Sequence, residues 1–185
     1  MIDRHLITAQ EFSKLARPVS VHLDEDEVTQ FISECEHLYI IPAVGYGNFK
    51  AAVSDTTWGG EFDDTFKPNT AINGGEWTLA RPHARCELVG KELQYCVGLK
   101  KALAYFVYAK MLRADGAIYS RAGFMQHDEQ YSHHVDESKN KNYNDVMQIA
   151  EQYLGNCLQY LKYHSVDKAI QPVHGTRARI HAIGK

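Results

Sequence analysis

Residues 87–113 read ELVGKELQYCVGLKKALAYFVYAKMLR. Val89, Leu93, Cys96, Val97, Leu103, Phe106, Val107 and Met111 recur here mostly at three- or four-residue steps, the spacing that stacks side chains on one helical face. The spacing predicts a central helix from Glu87 to Arg113, which at the usual helical rise spans roughly 36 to 40 Å. Gly90, Gly98, Ala102, Ala104 and Ala109 are small enough for a second helix backbone to come close, and Tyr95, Tyr105 and Tyr108 add large amphipathic rings. A buried core helix accounts for the whole pattern without any chemistry.

The rest of the chain has room for one domain around that helix. At 185 residues it can bury a sizeable core without disulfides or metal. Hydrophobic residues make up 44% and charged residues 23%, and the formal net charge of -3 exerts no general pull toward nucleic acid or an anionic membrane. Cys35, Cys86, Cys96 and Cys157 form no CxxC pair, and three of them fall among aliphatic residues on predicted helix faces. They read as small buried hydrophobes of a cytosolic chain. The opening MIDRHLITAQEF lacks the pattern of a signal peptide, and no window has the length of a membrane-spanning helix.

Local signals divide the chain into elements. Thr8-Ala9-Gln10-Glu11 has the form of a capping box, so a short helix should follow and close near Ala16, before Arg17-Pro18. Asp24 to Glu27 place acidic groups at the start of a second helix, whose face is traced by Val28, Phe31, Ile32, Cys35 and Leu38 and which Pro42 should interrupt. A short helical piece, Asn48 to Val53, follows the bend at Gly45 and Gly47.

Residues 54–80 read as a long loop insertion rich in glycine. Trp58, Phe62, Phe66 and Trp77 argue against simple disorder there, because such rings require a surface, either the bundle itself or a neighbour. Residues 117–135 read as a loop or loose hairpin with Gly123 midway. A last helix is expected over Lys139 to His164, with Val146, Ile149, Ala150, Tyr153, Leu154, Cys157, Leu158 and Leu161 toward the core. The fold class is therefore mainly α: a helical bundle over 1–165 with an extended C-terminal arm over 166–185. In the arm, Arg177, Arg179, His181 and Lys185 alternate roughly with Ala178, Ile180, Ala182 and Ile183, a pattern suited to a strand added to another subunit.

Chemical motifs are sparse. His127, His133 and His134 with Asp128, Glu129 and Asp136 form the densest group of potential metal ligands, but they lack HExxH or comparable spacing. Cys86, with His83 three residues before it, is the one thiol outside a core stripe. No GxSxG, Walker loop or GxGxxG before a predicted helix is present. Lys100, Lys101, Lys110, Arg113, Arg121 and the arginines of the arm do not concentrate into one basic face, and the acidic groups at 24–27, Glu34 and Glu36 oppose them.

The order of the helix-packing residues carries a resemblance. Val28, Phe31 and Ile32 through Glu36, followed by Tyr39-Ile40-Ile41-Pro42-Ala43-Val44-Gly45, resemble the opening motif of tailed-phage head-tail connector (adaptor) proteins. The later run from Gly98 to Ala109, GLKKALAYFVYA, with a glycine-containing loop beyond it, is similar to connectors of Bacteroidetes phages, including the ring proteins of crAss-like phages. The likeness covers about residues 1–165.

The resemblance implies a non-enzymatic virion protein, without cofactor or metal, in the neck between capsid and tail and made in the bacterial host cytoplasm. It would form a homo-oligomeric ring, commonly of twelve subunits, that docks below the portal protein, extends the DNA channel and supports further neck or tail proteins. Genomic DNA would pass without sequence-specific binding, through a channel lined mainly by neutral or acidic residues, and no membrane would be involved. Asp24, Glu25, Asp26 and Glu27 on one side and Lys100, Lys101, Tyr105 and Tyr108 on another become candidates for the subunit interface. Val173, Arg177, Arg179, Ile180, His181, Ile183 and Lys185 become candidates for an arm that grips the portal or an adjacent subunit. The alternatives are an intracellular metal- or cysteine-dependent hydrolase, resting on the loop histidines and Cys86, and a helical DNA-binding regulator.

Overall fold

The structure is a computed structural model that describes residues 4–17, 24–54, 56, 58, 62–82, 89–114, 118–120, 123–125 and 135–165. The protein is mainly α-helical, as the periodicity predicts. Helix α1 (Ala9–Leu15) starts at the expected capping box: the Glu11 amide donates to Thr8 Oγ1 at 3.2 Å, and the Thr8 amide donates to the Glu11 carboxylate at 3.0 Å. Helix α2 (Glu25–Cys35) is capped by Asp24, which accepts from the Asp26 amide at 3.0 Å, and it buries Val28, Ile32 and Cys35.

The predicted interruption at Pro42 does not occur. The chain continues from α2 through a π-helical turn (Glu36–Ile40) into α3 (Ile41–Val44), and it leaves the helix only at Gly45, whose φ is 82°. In the widened turn the Ile41 amide donates to the Glu36 carbonyl, five residues back. Proline has no amide hydrogen and its ring presses on the carbonyl four residues earlier, so one wider turn absorbs it without a break. The extra residue also rotates the helical face. Leu38, expected in the core, is 55% exposed, whereas Glu36 is fully buried.

Burial of that carboxylate is compensated by two donors. The Leu6 amide donates to Glu36 Oε1 at 2.7 Å, and His5 Nδ1 donates to Oε2 at 2.8 Å. These bonds hold the N-terminal segment against α2, with Leu6 and Ile7 in the core.

A short α4 (Tyr46–Ser54) is followed by α5 (Pro68–Asn73), within the region expected to be irregular. The larger correction concerns the stretch quoted above. Residues 87–113 are not one helix: β1 (Gly75–Pro82) and β2 (Val89–Cys96) form an antiparallel ribbon, and α6 begins only at Leu99 and runs to Ala114. Gly98 has a φ of 92°, which ends any continuous helix through this point.

Two three-residue strands, β3 (Ile118–Ser120) and β4 (Gly123–Met125), make the expected hairpin. Helix α7 (Val135–His164) starts four residues earlier than predicted. It lies along α6, which is also packed by α1, α2, α5 and the π turn. Helix α6 is thus central, though about 24 Å long rather than 36 to 40. Ala102, Leu103, Ala104, Phe106, Val107 and Ala109 are all buried, and the Tyr39 ring from the π turn stacks on Phe106 at 4.3 Å.

Candidate functional site

The junction of ribbon and bundle is a backbone-to-backbone contact. Gly74, φ 89°, lets the chain turn from α5 into β1, and Gly98 lets it turn from β2 into α6. A Cβ on Gly98 would lie 2.5 Å from the Gly74 nitrogen, and one on Gly74 would lie 2.6 Å from the Val97 oxygen. Neither position has space for a side chain, so the two glycines fix where the ribbon leaves the body.

Helix α7 grips the same root. Asn156 Oδ1 accepts from the Val97 amide at 2.9 Å, while its Nδ2 donates to the Tyr95 carbonyl at 3.0 Å. The side-chain amide thereby does for β2 what the peptide group of an adjacent strand would do. Below it, Cys96 and Cys157 are both fully buried, and the Cys157 thiol is pushed well above its ordinary range by its hydrogen bond with Cys96 and by burial. Burial likewise pushes Cys35 up to about 12, so neither Cys35 nor Cys157 is held as a thiolate.

The ribbon has two unlike faces. Pairing sets Glu76 opposite Tyr95 and Thr78 opposite Leu93 on one face, and Trp77 opposite Gln94 and Leu79 opposite Glu92 on the other. The second face turns toward the bundle at its root, where Trp77 is buried against α7. The first presents Leu93, 66% exposed, and Tyr95, 58% exposed. An exposed leucine alone means little, but these two side chains share one face of a two-stranded sheet.

The aromatic residues of the glycine-rich region have a surface in their own chain. Trp58, Phe62 and Phe66 pack on one another, and Phe66 and Trp77 pack on Tyr160 of α7. The Lys67 amide donates to the Tyr160 hydroxyl at 2.9 Å, and that hydroxyl donates to the Lys67 carbonyl at 3.2 Å. Buried His164 closes the cluster, with Nδ1 donating to Asp63 Oδ1 at 2.9 Å. Partial burial alone would raise the Asp63 carboxyl, but hydrogen bonds from Thr65 and His164 outweigh it and hold the group below its usual range.

The interface candidates divide. Asp24, Glu25, Asp26 and Glu27 are all exposed at the start of α2. The α6 candidates are half-buried and already engaged within the chain. Lys100 Nζ lies 2.8 Å from Glu11 Oε1, Lys101 sits over the Tyr153 ring at 5.8 Å, Tyr105 meets Tyr153 edge to face at 5.0 Å, and Tyr108 packs on the core. Lys110 lies 3.5 Å from Glu34, and Arg113 sits over the Tyr143 ring. The structure therefore does not bring the acidic start of α2 together with the basic residues of α6.

His83, Cys86, Arg121, His127, Asp128, Glu129, His133 and His134 lie outside the described residues, as do Val173, Arg177, Arg179, Ile180, His181, Ile183 and Lys185 of the arm. Among the described residues no three His, Cys, Asp or Glu side chains are grouped to hold a metal ion, and no helix is long and apolar enough to cross a membrane. Two features of the site were absent from the sequence reading: the ribbon and Asn156. A mid-helix asparagine beside a clean apolar stripe is the available signal for the second, because it is a poor helix former unless its amide has work elsewhere.

A family model described as a family of unknown function, DUF6712, matches residues 40–168, a span from the end of the π turn through α7 that includes the whole ribbon. No curated protein and no solved structure matches the chain.

Proposed function

We propose, from the premise that this chain belongs to the DUF6712 family of unknown function, that it is a structural subunit of the head-tail connector class of tailed phages. The observation that carries this reading is the division of labour between body and ribbon. In the body Lys100, Lys101, Tyr105 and Tyr160 are all engaged internally, although Leu38 and Tyr46 are exposed. The ribbon leaves the body through a rigid root and offers Leu93 and Tyr95 outward. Such a projection can supply one of the two different surfaces that a heterologous contact joins around the closing rotation of a ring.

Under this reading the exposed acidic start of α2, Asp24 to Glu27, contributes a second contact surface, and the arm over 166–185 grips the portal or an adjacent subunit. The order of residues from Val28 to Gly45 and from Gly98 to Ala109 supports the assignment by its resemblance to connectors. DNA passes through the ring past neutral or acidic groups, because successive lysine or arginine contacts to phosphates would hold it in place.

Immunogold labelling of virions with antibodies to this chain tests the assignment. Label at the junction of head and tail is the expected result. Label confined to infected-cell lysate, with none on virions, would remove the reading.

A further inference from the structure

We propose that the outer edge of β2 accepts residues 177–183 of a neighbouring copy as an added strand. The inference deepens the connector reading and rests on it, since it needs copies of the chain side by side.

In an antiparallel pair the backbone groups of successive residues point alternately toward and away from the partner. The Tyr95 carbonyl and Val97 amide are bound by Asn156 rather than by β1, so the odd-numbered residues of β2 direct their N–H and C=O groups outward. Asn156 satisfies one step of that edge and stops there. Beyond it, Leu93 and Lys91 continue the same outward row, and among the described residues β2 pairs with β1 alone. An open row of this kind is a template for another strand.

The arm has the matching pattern. In Arg177-Ala178-Arg179-Ile180-His181-Ala182-Ile183, the residues Ala178, Ile180 and Ala182 fall on one face of a strand, and Arg177, Arg179 and His181 fall on the other together with the terminal Ile183. Laid along β2, the apolar face extends the Leu93 and Tyr95 face of the ribbon. The basic face then falls on the side of Glu92 and Gln94. A one-residue slip would reverse both matches, so the pattern selects one of the two possible facings.

The spacer is long enough to carry the arm to a neighbour. Helix α7 ends beside the ribbon root, with the Trp77 ring 5.0 Å from Tyr163 and 5.8 Å from His164. Return to its own ribbon would need a turn of only about 2 to 5 residues. Residues 166–176 intervene instead, with Pro172 and Gly175 among them, and at full extension they reach roughly 36 to 40 Å.

The test uses full-length chains in a Cys86→Ser background. A tagged Leu93→Cys chain is mixed at high concentration with untagged Ala178→Cys, Ile180→Cys, Ala182→Cys or Arg179→Cys chains and oxidised gently. We expect a mixed disulfide-linked pair with at least one of the three apolar-face positions and loss of that product with Arg179→Cys. Absence of any mixed pair, equal yield from Arg179→Cys, or only an intrachain disulfide in a chain carrying both substitutions would overturn the proposal. Electron microscopy of the same samples separates the two readings. Closed rings without the mixed disulfide leave the connector reading and remove this one. Mixed disulfides in open fibres keep the strand pairing and count against the ring.

Discussion

The body around α6 and the ribbon of β1 and β2 meet at Gly98, and they are stabilised by opposite means. Helix α6 is covered by α7, α2, α5, α1 and the π turn, so its side chains from Leu99 to Leu112 are buried or half-buried whatever direction they point. Among the described residues the ribbon is covered at its root, by Trp77, Cys96 and Asn156. A two-stranded sheet is marginal by itself, so the root contacts at Gly74, Trp77, Cys96 and Asn156 must supply what additional strands would supply elsewhere. The contrast teaches that adjacent stretches of similar hydrophobicity serve different ends: in α6 the apolar groups build the fold, and in β2 Leu93 and Tyr95 remain for contact outside it.

The comparison breaks most severely at the joint. Gly98→Ala puts a Cβ against backbone and forces a left-handed φ on alanine, so stability should fall by about 2 to 5 kcal/mol. Urea unfolding followed by fluorescence of Trp58 and Trp77, both buried, measures this. A loss under ~0.5 kcal/mol, the usual range for surface changes, would mean that the joint is not rigid. A smaller effect is expected at the same root from Asn156→Ala, which leaves the Val97 amide and Tyr95 carbonyl without their partner and should cost about 1 to 2 kcal/mol. Hydrogen exchange should then quicken in β2 before it quickens in α6.

Acid acts on the body instead. The Glu11 carboxyl is lowered chiefly by its hydrogen bond with Lys100, against opposing desolvation. A depressed folded value contributes stability above the ordinary 4.5, and that contribution disappears as pH falls through the lower folded value. Because Glu11 is well exposed the loss should stay below about 1 kcal/mol, and Lys100→Ala should remove this part of the acid dependence. Least of all should Leu93→Ser affect the isolated fold, within about 0.5 kcal/mol, while it should weaken association of copies in sedimentation. A stability loss as large as that of a buried leucine would place Leu93 in the core after all.

The parts of the fold legible in the sequence are those governed by local chemistry. The capping box at Thr8, the Asp24 cap, the stripe of α7 and the turn at Gly45 all depend on neighbours a few residues away. The ribbon was not legible in this way. Val89, Leu93 and Cys96 fit helical spacing, but Val89, Lys91, Leu93, Tyr95 and Val97 also alternate with Gly90, Glu92, Gln94 and Cys96 as a strand requires. Pairing with residues 75–82 decides between the two, and that pairing is not local. The same misreading concealed the exposed face, because a helix through residue 93 directs Leu93 inward. Leu38 was misplaced for a related reason, since an extra residue in one turn shifts every later position around the helix.

The central claim, that this chain is a connector subunit, is tested most directly by quantitative mass spectrometry of purified virions of a phage encoding it. The expected result is this chain in the virion in constant ratio to the portal protein, one copy for each portal subunit if the ring is a dodecamer. Its absence from virions that contain portal and capsid in their normal amounts would rule out a connector role.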